Sequence, residues 1–287
     1  MLLRIVLGVS MCGLLTQCNS SSKMAFNIKD FTPFGVCYSK ITPHQLQNYE
    51  MVIVEPDFYT QEEMQALRAT GTKVIAYISL GEVDTNRWYF PLMEAEGFLG
   101  KNENWNSYFL DLKAKKVREI ITTQVVPEIM AKGADGLFFD TVDAVSPETP
   151  RSYLQPYMAN LIQRIRVQYP DKTIIQNAGL FLLNDTKENI DAFLTETLAS
   201  NYSFTEQEYQ IRNQEEFNDR LNWLEEYSSE TGKPFFIIDF ANTNYQRQKI
   251  KSRLDTLRKP YFISNIGLSE LPLSSDSVAN DLRNWEL

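Results

Sequence analysis

The sequence predicts one (β/α)8 barrel, the TIM-barrel fold, and two observations indicate it. The 287-residue chain contains eight short apolar runs that are mostly continuous rather than alternating, as in parallel strands covered on both faces. Stretches with helical periodicity separate the runs, and strand–helix alternation repeated eight times is typical of this barrel. The runs are residues 34–39, 51–56, 74–80, 136–140, 173–177, 192–197, 234–240 and 261–265.

The helices between the runs are predicted from capping signals and from apolar faces. Residues 60–63 (TQEE) form a capping box, and Gly71 is expected to end that helix. The long aromatic segment 84–112 is expected to form a loop over the barrel top with one short strand at 108–112. A doubly wound open sheet is the main alternative, but it usually has fewer strands, and no glycine-rich dinucleotide turn follows the first run.

The N-terminus predicts export. Arg4 precedes an apolar stretch at 5–15 that has the order and length of a secretory signal and is too short to span a membrane. The following LTQC resembles a bacterial lipobox in which Cys18 becomes lipidated; an ordinary signal peptide is the alternative. We therefore expect a signal peptide (1–17), a tether (18–30) and the barrel domain (31–287) of a membrane-anchored lipoprotein at the bacterial cell envelope.

Composition narrows the classes of function. The chain is 43% hydrophobic and 12% aromatic, which is enough for a sizeable core. Its formal net charge is -9, and no run of Lys and Arg forms the basic patch of a nucleic-acid-binding protein. Of three cysteines, cleavage removes Cys12 and lipidation occupies Cys18, so Cys37 has no disulfide partner and is expected in the core. Membrane contact is expected only through the lipid anchor.

The residues that close the eight runs indicate where the chemistry lies, because active sites of this barrel form at the carboxyl ends of its strands. These residues are rich in carboxylates and amides and include no histidine. The single histidine, His44, lies in a polar, turn-like segment. Serine–histidine and cysteine–histidine mechanisms and zinc hydrolysis are therefore disfavoured, and no metal site is predicted. Acid–base or nucleophilic chemistry by carboxylates remains.

Two carboxylates are the strongest catalytic candidates. Asp140 directly follows the apolar GLFF, and Glu196 interrupts FLTETLA in the same way. Glycoside hydrolysis requires one carboxyl group that donates a proton and another that stays ionised. Buried polar surroundings can separate the two pKa values. A salt-bridged or helix-capping acid is the alternative interpretation of each residue.

Eight other side chains near the strand ends are predicted to contact a substrate. For the acids and the aromatic residues among them, a structural role is the alternative interpretation, and Arg87 has the further alternative of pairing with Glu82. The eight are Tyr38, Asp57, Tyr77, Glu82, Arg87, Asp143, Asn177 and Asp239.

Four motifs resemble the endo-α-1,4-polygalactosaminidase family, glycoside hydrolase family 114, with its "hypothetical-related" thermophile relatives. They are GTKVIAYISLGEVDTNR, GADGLFFDTVD, IIQNAG and FLTET, and the resemblance extends over about residues 30–270. It implies a (β/α)8 barrel that cleaves α-1,4-linked galactosamine-containing polysaccharide internally and needs no cofactor. By motif, it implies Asp140 as nucleophile and Glu196 as general acid/base. The sequence departs from the family at two places: Thr141 stands where the family often has Asn, and Thr197-Leu198 stand where bulky aromatic residues are common. These departures affect the identity of the substrate more than the class of reaction.

Three functions remain open on the sequence. The first is a retaining endo-glycosidase, which the presence of both carboxylates favours. The second is a non-catalytic carbohydrate-binding barrel at the cell surface. The third is another barrel enzyme, either a Schiff-base aldolase, for which only Lys40 lies near a strand end, or a metal-dependent isomerase. The isomerase would use oxygen ligands from Glu82, Asp140, Glu196 and Asp239.

Overall fold

The computed structural model describes residues 26–273, and its strands follow the chain in two groups: those of the barrel and those of two insertions. The strands are β1 (Phe34–Cys37), β2 (Met51–Val54), β3 (Lys73–Ser79), β4 (Glu82–Asp84), β5 (Phe98–Asn102), β6 (Ser107–Leu110), β7 (Gly136–Asp140), β8 (Thr173–Asn177), β9 (Ala192–Glu196), β10 (Ser200–Ser203), β11 (Glu208–Ile211), β12 (Phe235–Phe240) and β13 (Tyr261–Ser264).

Eight strands form one parallel sheet in the order β1-β2-β3-β7-β8-β9-β12-β13. The sheet curves into a nearly closed barrel whose first and last strands come together. The ring of Phe34 on β1 packs 6.1 Å from that of Phe262 on β13, and the Tyr38 amide donates to the Leu268 carbonyl at 2.7 Å. Each predicted run coincides with one barrel strand, with ends that differ by at most two residues. The predicted (β/α)8 fold is confirmed.

The helices cover the outside of the barrel, and apolar residues fill both layers. All four residues of β2 and all six of β12 are buried, which explains why these runs are continuous rather than alternating. Thr60 caps the first helix through the predicted capping box, and Gly71 follows it with φ 95°. The helices are α1 (Gln61–Arg68), α2 (Phe90–Glu94), α3 (Lys115–Ile120), α4 (Val126–Ala131), α5 (Gln155–Gln168), α6 (Leu183–Thr186), α7 (Gln214–Thr231) and α8 (Asn244–Leu254).

Two insertions rise from the carboxyl end of the barrel. The β3–β7 connection carries an antiparallel sheet in the order β4-β6-β5, and the β9–β12 connection carries the hairpin β10–β11. The expected strand at 108–112 corresponds to β6, but the expectation of an otherwise looped segment is wrong. The sequence did not predict the hairpin either. Both insertions expose much of their surface, so they lack the apolar patterns that identify the barrel strands.

The predicted N-terminal segments fall largely outside the described residues. The predicted signal peptide and Cys18 lie outside the described residues. Of the predicted tether, residues 26–30 are described, and the ring of Phe26 stacks on that of Phe31 at 4.5 Å. Cys37 is buried, as expected. Between residues 26 and 273, no helix has the length and apolar character that crossing a membrane requires.

Two ion pairs join strands to helices at the amino end of the barrel. Asp191, just before β9, accepts from the Ile174 amide of β8 at 2.9 Å and from Arg166 on α5 at 2.8 Å. Asp135, just before β7, is bonded in the same way to the start of β3 and to Arg68 on α1. Each aspartate therefore ties two neighbouring strands to one helix, at the end of the barrel that serves stability rather than catalysis.

We predict that Arg166→Ala lowers the free energy of unfolding by roughly 3 kcal/mol, because Arg166 is a donor to the partly buried Asp191 and to four backbone carbonyls. Urea titration measures this change. Lys115→Ala is the control, since Lys115 is exposed and pairs only along its own helix face; a loss of about 0.5 kcal/mol or less is expected there. Equal losses in the two variants would contradict the role given to Arg166.

Candidate active site

Three polar residues end three adjacent barrel strands. Asp140 is the last residue of β7, Asn177 of β8 and Glu196 of β9. Because these strands are parallel neighbours, their carboxyl ends meet at one edge of the barrel. The two predicted catalytic acids therefore lie on the same face, with one strand and one amide side chain between them.

The side-chain amide of Asn177 joins the two acids. Its Nδ2 group donates to Oδ1 of Asp140 at 2.8 Å and to Oε1 of Glu196 at 3.0 Å. Since both contacts start from one nitrogen, the two accepting oxygens lie at most about 5.8 Å apart. The Asn177 side chain is buried, and within the described residues its Oδ1 atom has no hydrogen-bond partner. Reversing the amide would turn this oxygen toward two carboxylates, so their charge fixes its orientation.

The backbone turns sharply after each of these three residues. Thr141, Ala178 and Thr197 have φ values of 56°, 50° and 58°, in the left-handed region that disfavours residues with a Cβ atom. Each costs about 1–2 kcal/mol. Hydrogen bonds hold the first turn, since the Thr141 hydroxyl accepts from the Gly81 amide and bonds to the Ser79 hydroxyl, both at 2.8 Å. The turns leave the preceding side chains at the barrel mouth.

Glu196 has the properties of a proton donor near neutral pH. Burial and the nearby charge of Asp140 raise its pKa to about 7, while the hydrogen bond from Asn177 opposes this rise. A carboxyl group with this pKa holds a proton near neutrality and can also accept one. Beside Asp140 the site thus places a carboxyl group, Glu196, that can hold its proton near neutrality.

Two tyrosines form an aromatic wall beside Asp140. The rings of Tyr38 and Tyr77 meet edge to face at 4.9 Å, and both side chains are partly buried. Burial, followed by the charge of Asp140, raises both pKa values well above the ordinary value for tyrosine. Both hydroxyls therefore stay protonated. The structure brings these two predicted residues to the predicted site.

Arg87 lies close to this wall but has other partners than the sequence suggested. Its guanidinium donates to both carboxylate oxygens of Glu55, at 2.5 and 2.6 Å, and to Asp57 at 3.0 Å. It also lies 5.3 Å from the centre of the Tyr77 ring. The alternative of a pair with Glu82 is wrong. Glu55 is not among the eight predicted contacts, although it directly follows the apolar residues of the second run, as Asp140 follows those of the fourth.

Glu82 and Asp143 lie on the side of the mouth that faces the β4-β6-β5 sheet. Glu82, the first residue of β4, is buried and accepts from Ser107 on β6 and, at 3.2 Å, from Asn102 on β5, so it joins the three strands of this sheet. Burial raises the pKa of Glu82. Asp143 opens to solvent on one side but is recessed among the loops. This partial burial and the charges of Asp140 and Glu82 raise the pKa of Asp143 to about 6.

Asp239 is corrected from a substrate contact to a structural acid. Its side chain is completely buried and leaves no surface for a ligand. It accepts from the Ala199 amide at 3.0 Å, the Ser200 amide at 2.7 Å and the Ser200 hydroxyl at 2.6 Å. These bonds fix the backbone at Ala199 and Ser200, three to four residues after Glu196, and so help to position Glu196.

The acids of the mouth do not assemble as metal ligands. Glu82 is bonded to the β4-β6-β5 sheet, and Asp239 is bonded to the chain after β9. Within residues 26–273, no group of three or more His, Cys, Asp or Glu side chains is arranged to hold a metal ion. The described geometry therefore gives no support to the ligand set proposed for a metal-dependent isomerase.

We predict that Glu196→Gln stabilises the protein at pH 8. The raised pKa of Glu196 means that its favourable contribution to folding is present below about pH 4.5 and is lost as pH rises toward 7. Removing this charge should raise stability at pH 8 by roughly 2 kcal/mol, and the gain should shrink toward pH 5. Thermal unfolding from pH 5 to 8 measures it, with the exposed Glu226→Gln on α7 as control. A destabilised variant at pH 8 would contradict the burial of charge at Glu196.

Comparison with known proteins identifies the family of the chain. A model of glycoside-hydrolase family GH114 matches residues 19–278. An uncharacterized protein of Methanocaldococcus jannaschii, MJ1477, is 24% identical over an alignment of 300 residues that covers 93% of this chain and 82% of that protein.

Solved structures share the fold. The glycoside hydrolase domain of PelA from Pseudomonas aeruginosa is 22% identical with a TM-score of 0.74, over 84% of this chain and 97% of that one. Aspergillus fumigatus Ega3 in complex with galactosamine is 16% identical with a TM-score of 0.63, over 82% and 90%. Because the family model spans most of the sequence, the chain belongs to glycoside-hydrolase family GH114.

Proposed function

We propose that this protein is an endo-acting, retaining glycosidase that cleaves α-1,4-linked galactosamine-containing polysaccharide. Asp140 is the nucleophile and Glu196 is the general acid/base. The observation that carries the proposal is the shared amide of Asn177, which holds both carboxylates at one end of the barrel. Family membership supports the reaction class, and the chemistry of the mouth supports the substrate.

The separation of the two acids supports retention of configuration. Retaining glycosidases hold their carboxyl groups about 5–5.5 Å apart, whereas inverting enzymes need roughly 6.5–9.5 Å to admit a water between acid and sugar. The limit of about 5.8 Å between Asp140 Oδ1 and Glu196 Oε1 falls near the first class. This spacing therefore favours direct attack of Asp140 on the anomeric carbon over a mechanism in which a carboxylate activates a water molecule on the opposite face of the sugar.

The proposed reaction has two steps. In the first, an Asp140 oxygen bonds to the anomeric carbon, the glycosidic bond breaks, and Glu196 gives its proton to the departing oxygen. In the second, Glu196, now ionised, removes a proton from water; the water oxygen bonds to the anomeric carbon and Asp140 is released. The pKa of about 7 at Glu196 suits both roles, because the residue must donate and then accept.

Negative charge at the mouth supports a cationic substrate. Asp143 is open to solvent beside Asp140, and the whole chain carries a formal net charge of -9. A galactosamine unit with a free amino group carries a positive charge that these acids attract. The partly buried rings of Tyr38 and Tyr77 offer an apolar wall for the faces of sugar rings.

We also propose that the protein is exported and anchored through Cys18, where it would meet a polymer outside the cell. The support is the order of charged, apolar and lipobox residues in the first 18 positions. Mass spectrometry of the mature N-terminus tests this. A chain that begins at Met1 in the cell envelope fraction would refute processing at Cys18.

We predict that the wild type releases reducing ends from α-1,4-galactosaminan, and that Asp140→Asn and Glu196→Gln each lower kcat by about a thousandfold or more. A reducing-end assay measures release, and NMR of the first product identifies its anomeric configuration. Glu226→Gln on the outer face is the matched charge control.

Each competing account has a distinct outcome in this experiment. Equal release by the wild type and Asp140→Asn removes Asp140 from the mechanism. A first product of inverted configuration overturns retention but keeps the hydrolase. Binding of the polymer without any release indicates the carbohydrate-binding barrel instead.

A further inference from the structure

The tips of the two insertions touch through exposed aromatic side chains. Trp105 lies in the turn between β5 and β6, and Phe204 follows β10 at the hairpin turn. Their ring centroids are 5.2 Å apart at an interplanar angle of 77°. Trp105 is 50% exposed and Phe204 38% exposed, so each ring keeps a large surface open to solvent after this contact.

The pair belongs to the two insertions that leave the barrel at its carboxyl end, where the two acids lie. The insertions follow β3 and β9, and between these strands lie β7 and β8, which carry Asp140 and Asn177. Trp105 is three residues from Asn102, which donates to the Glu82 carboxylate. At the maximum extension of a chain, this spacing puts the Trp105 backbone within about 11 Å of Asn102. We expect a polymer that extends from the two acids toward these insertions to reach the pair.

The aromatic surface continues along the hairpin and is held in place. The Tyr202 ring contacts Phe204 at 5.1 Å and Tyr209 at 4.9 Å. The Tyr209 hydroxyl accepts from the Ile266 amide at 3.0 Å, which fixes the far end of the row to the barrel. Trp105, Phe204, Tyr202 and Tyr209, here called the aromatic row, therefore form a preorganised surface that loses little freedom when a ligand binds.

The charges around the aromatic row match a cationic sugar. Glu206 and Glu208 lie just after Phe204 and are exposed, whereas Glu103, two residues before Trp105, is exposed but pairs with Lys101 at 2.8 Å. Aromatic faces attract cations as well as apolar groups. An amino-sugar ring offers both an apolar face and an ammonium group, so it fits this combination better than a neutral apolar ligand or an anion does.

We propose that the aromatic row is a distal subsite that binds an amino-sugar unit of the same polymer whose cleavage occurs at Asp140 and Glu196. The proposal rests on the proposed function and extends it, because it makes the enzyme prefer long chains over short ones. The subsite contributes binding energy away from the reacting bond, so it affects polymer capture more than the chemical step.

The test compares Trp105→Ala and the double variant with Phe204→Ala on polymeric galactosaminan and on the shortest oligosaccharide that the wild type cleaves. For the polymer, KM should rise about fivefold in Trp105→Ala and more in the double variant, with kcat nearly unchanged. For the short substrate, both constants should stay at the wild-type values. Trp105→Phe should restore most of the polymer affinity, since it keeps an aromatic face.

Trp223→Ala is the matched control. Trp223 is 46% exposed and packs edge to face on Tyr227 at 5.4 Å, much as Trp105 packs on Phe204, but it lies on the outer helix α7. Its removal should leave both substrates unaffected. An unchanged polymer KM in Trp105→Ala, or an equal rise in Trp223→Ala, would overturn the subsite while the proposed function stands.

A wild type that releases no reducing ends would refute the proposed function, and affinity electrophoresis in gels containing galactosaminan then decides the subsite separately. Retardation that Trp105→Ala loses and Trp223→Ala keeps supports binding at the aromatic row. Equal retardation of all three proteins, or none of any, overturns it.

Discussion

One amide group, the side chain of Asn177, sets the geometry on which the rest of the site depends. Two ionised carboxylates about 5 Å apart would repel by roughly 3 kcal/mol at an effective dielectric constant of 20. The amide offers one hydrogen to each acid, and Glu196 relieves the remaining repulsion by keeping its proton. The amide thus accounts for the closeness of the two acids, whereas burial and the charge of Asp140 account for the proton on Glu196. A double displacement needs both, because its nucleophile must be charged while its acid is neutral.

The barrel supports this arrangement at a local cost in stability. Left-handed turns at Thr141, Ala178 and Thr197 follow the three central residues, and they persist because the surrounding hydrogen bonds fix them. Asp239 contributes from beneath by fixing the chain at Ser200, and its complete burial keeps those bonds away from water. Strain and buried acids at the carboxyl end contrast with the paired ions at the amino end, which stabilise the fold.

Much of this could be predicted from the sequence, for identifiable reasons. Continuous apolar runs revealed all eight barrel strands, whereas the exposed insertion strands carry no such pattern. Asp140 and Glu196 were recognisable because a carboxylate at the end of a buried strand is costly unless it is paired or has a function. The same signal failed for Asp239, since its backbone partners lie in a connection with no sequence pattern. The partner of Arg87 could not be predicted either, since its pairing with Glu55 depends on the path of the β3–β7 connection.

The pH dependence of kcat/KM in Asn177→Ala tests the central claim most directly. In the wild type, activity should fall above about pH 7 as Glu196 loses its proton. Because the Asn177 hydrogen bond lowers this pKa, its removal should move the alkaline limb to higher pH and lower kcat tenfold or more. Asn102→Ala, which removes an amide from Glu82 instead, should leave the limb in place. An unshifted limb in Asn177→Ala would contradict the coupling of the two acids through one amide.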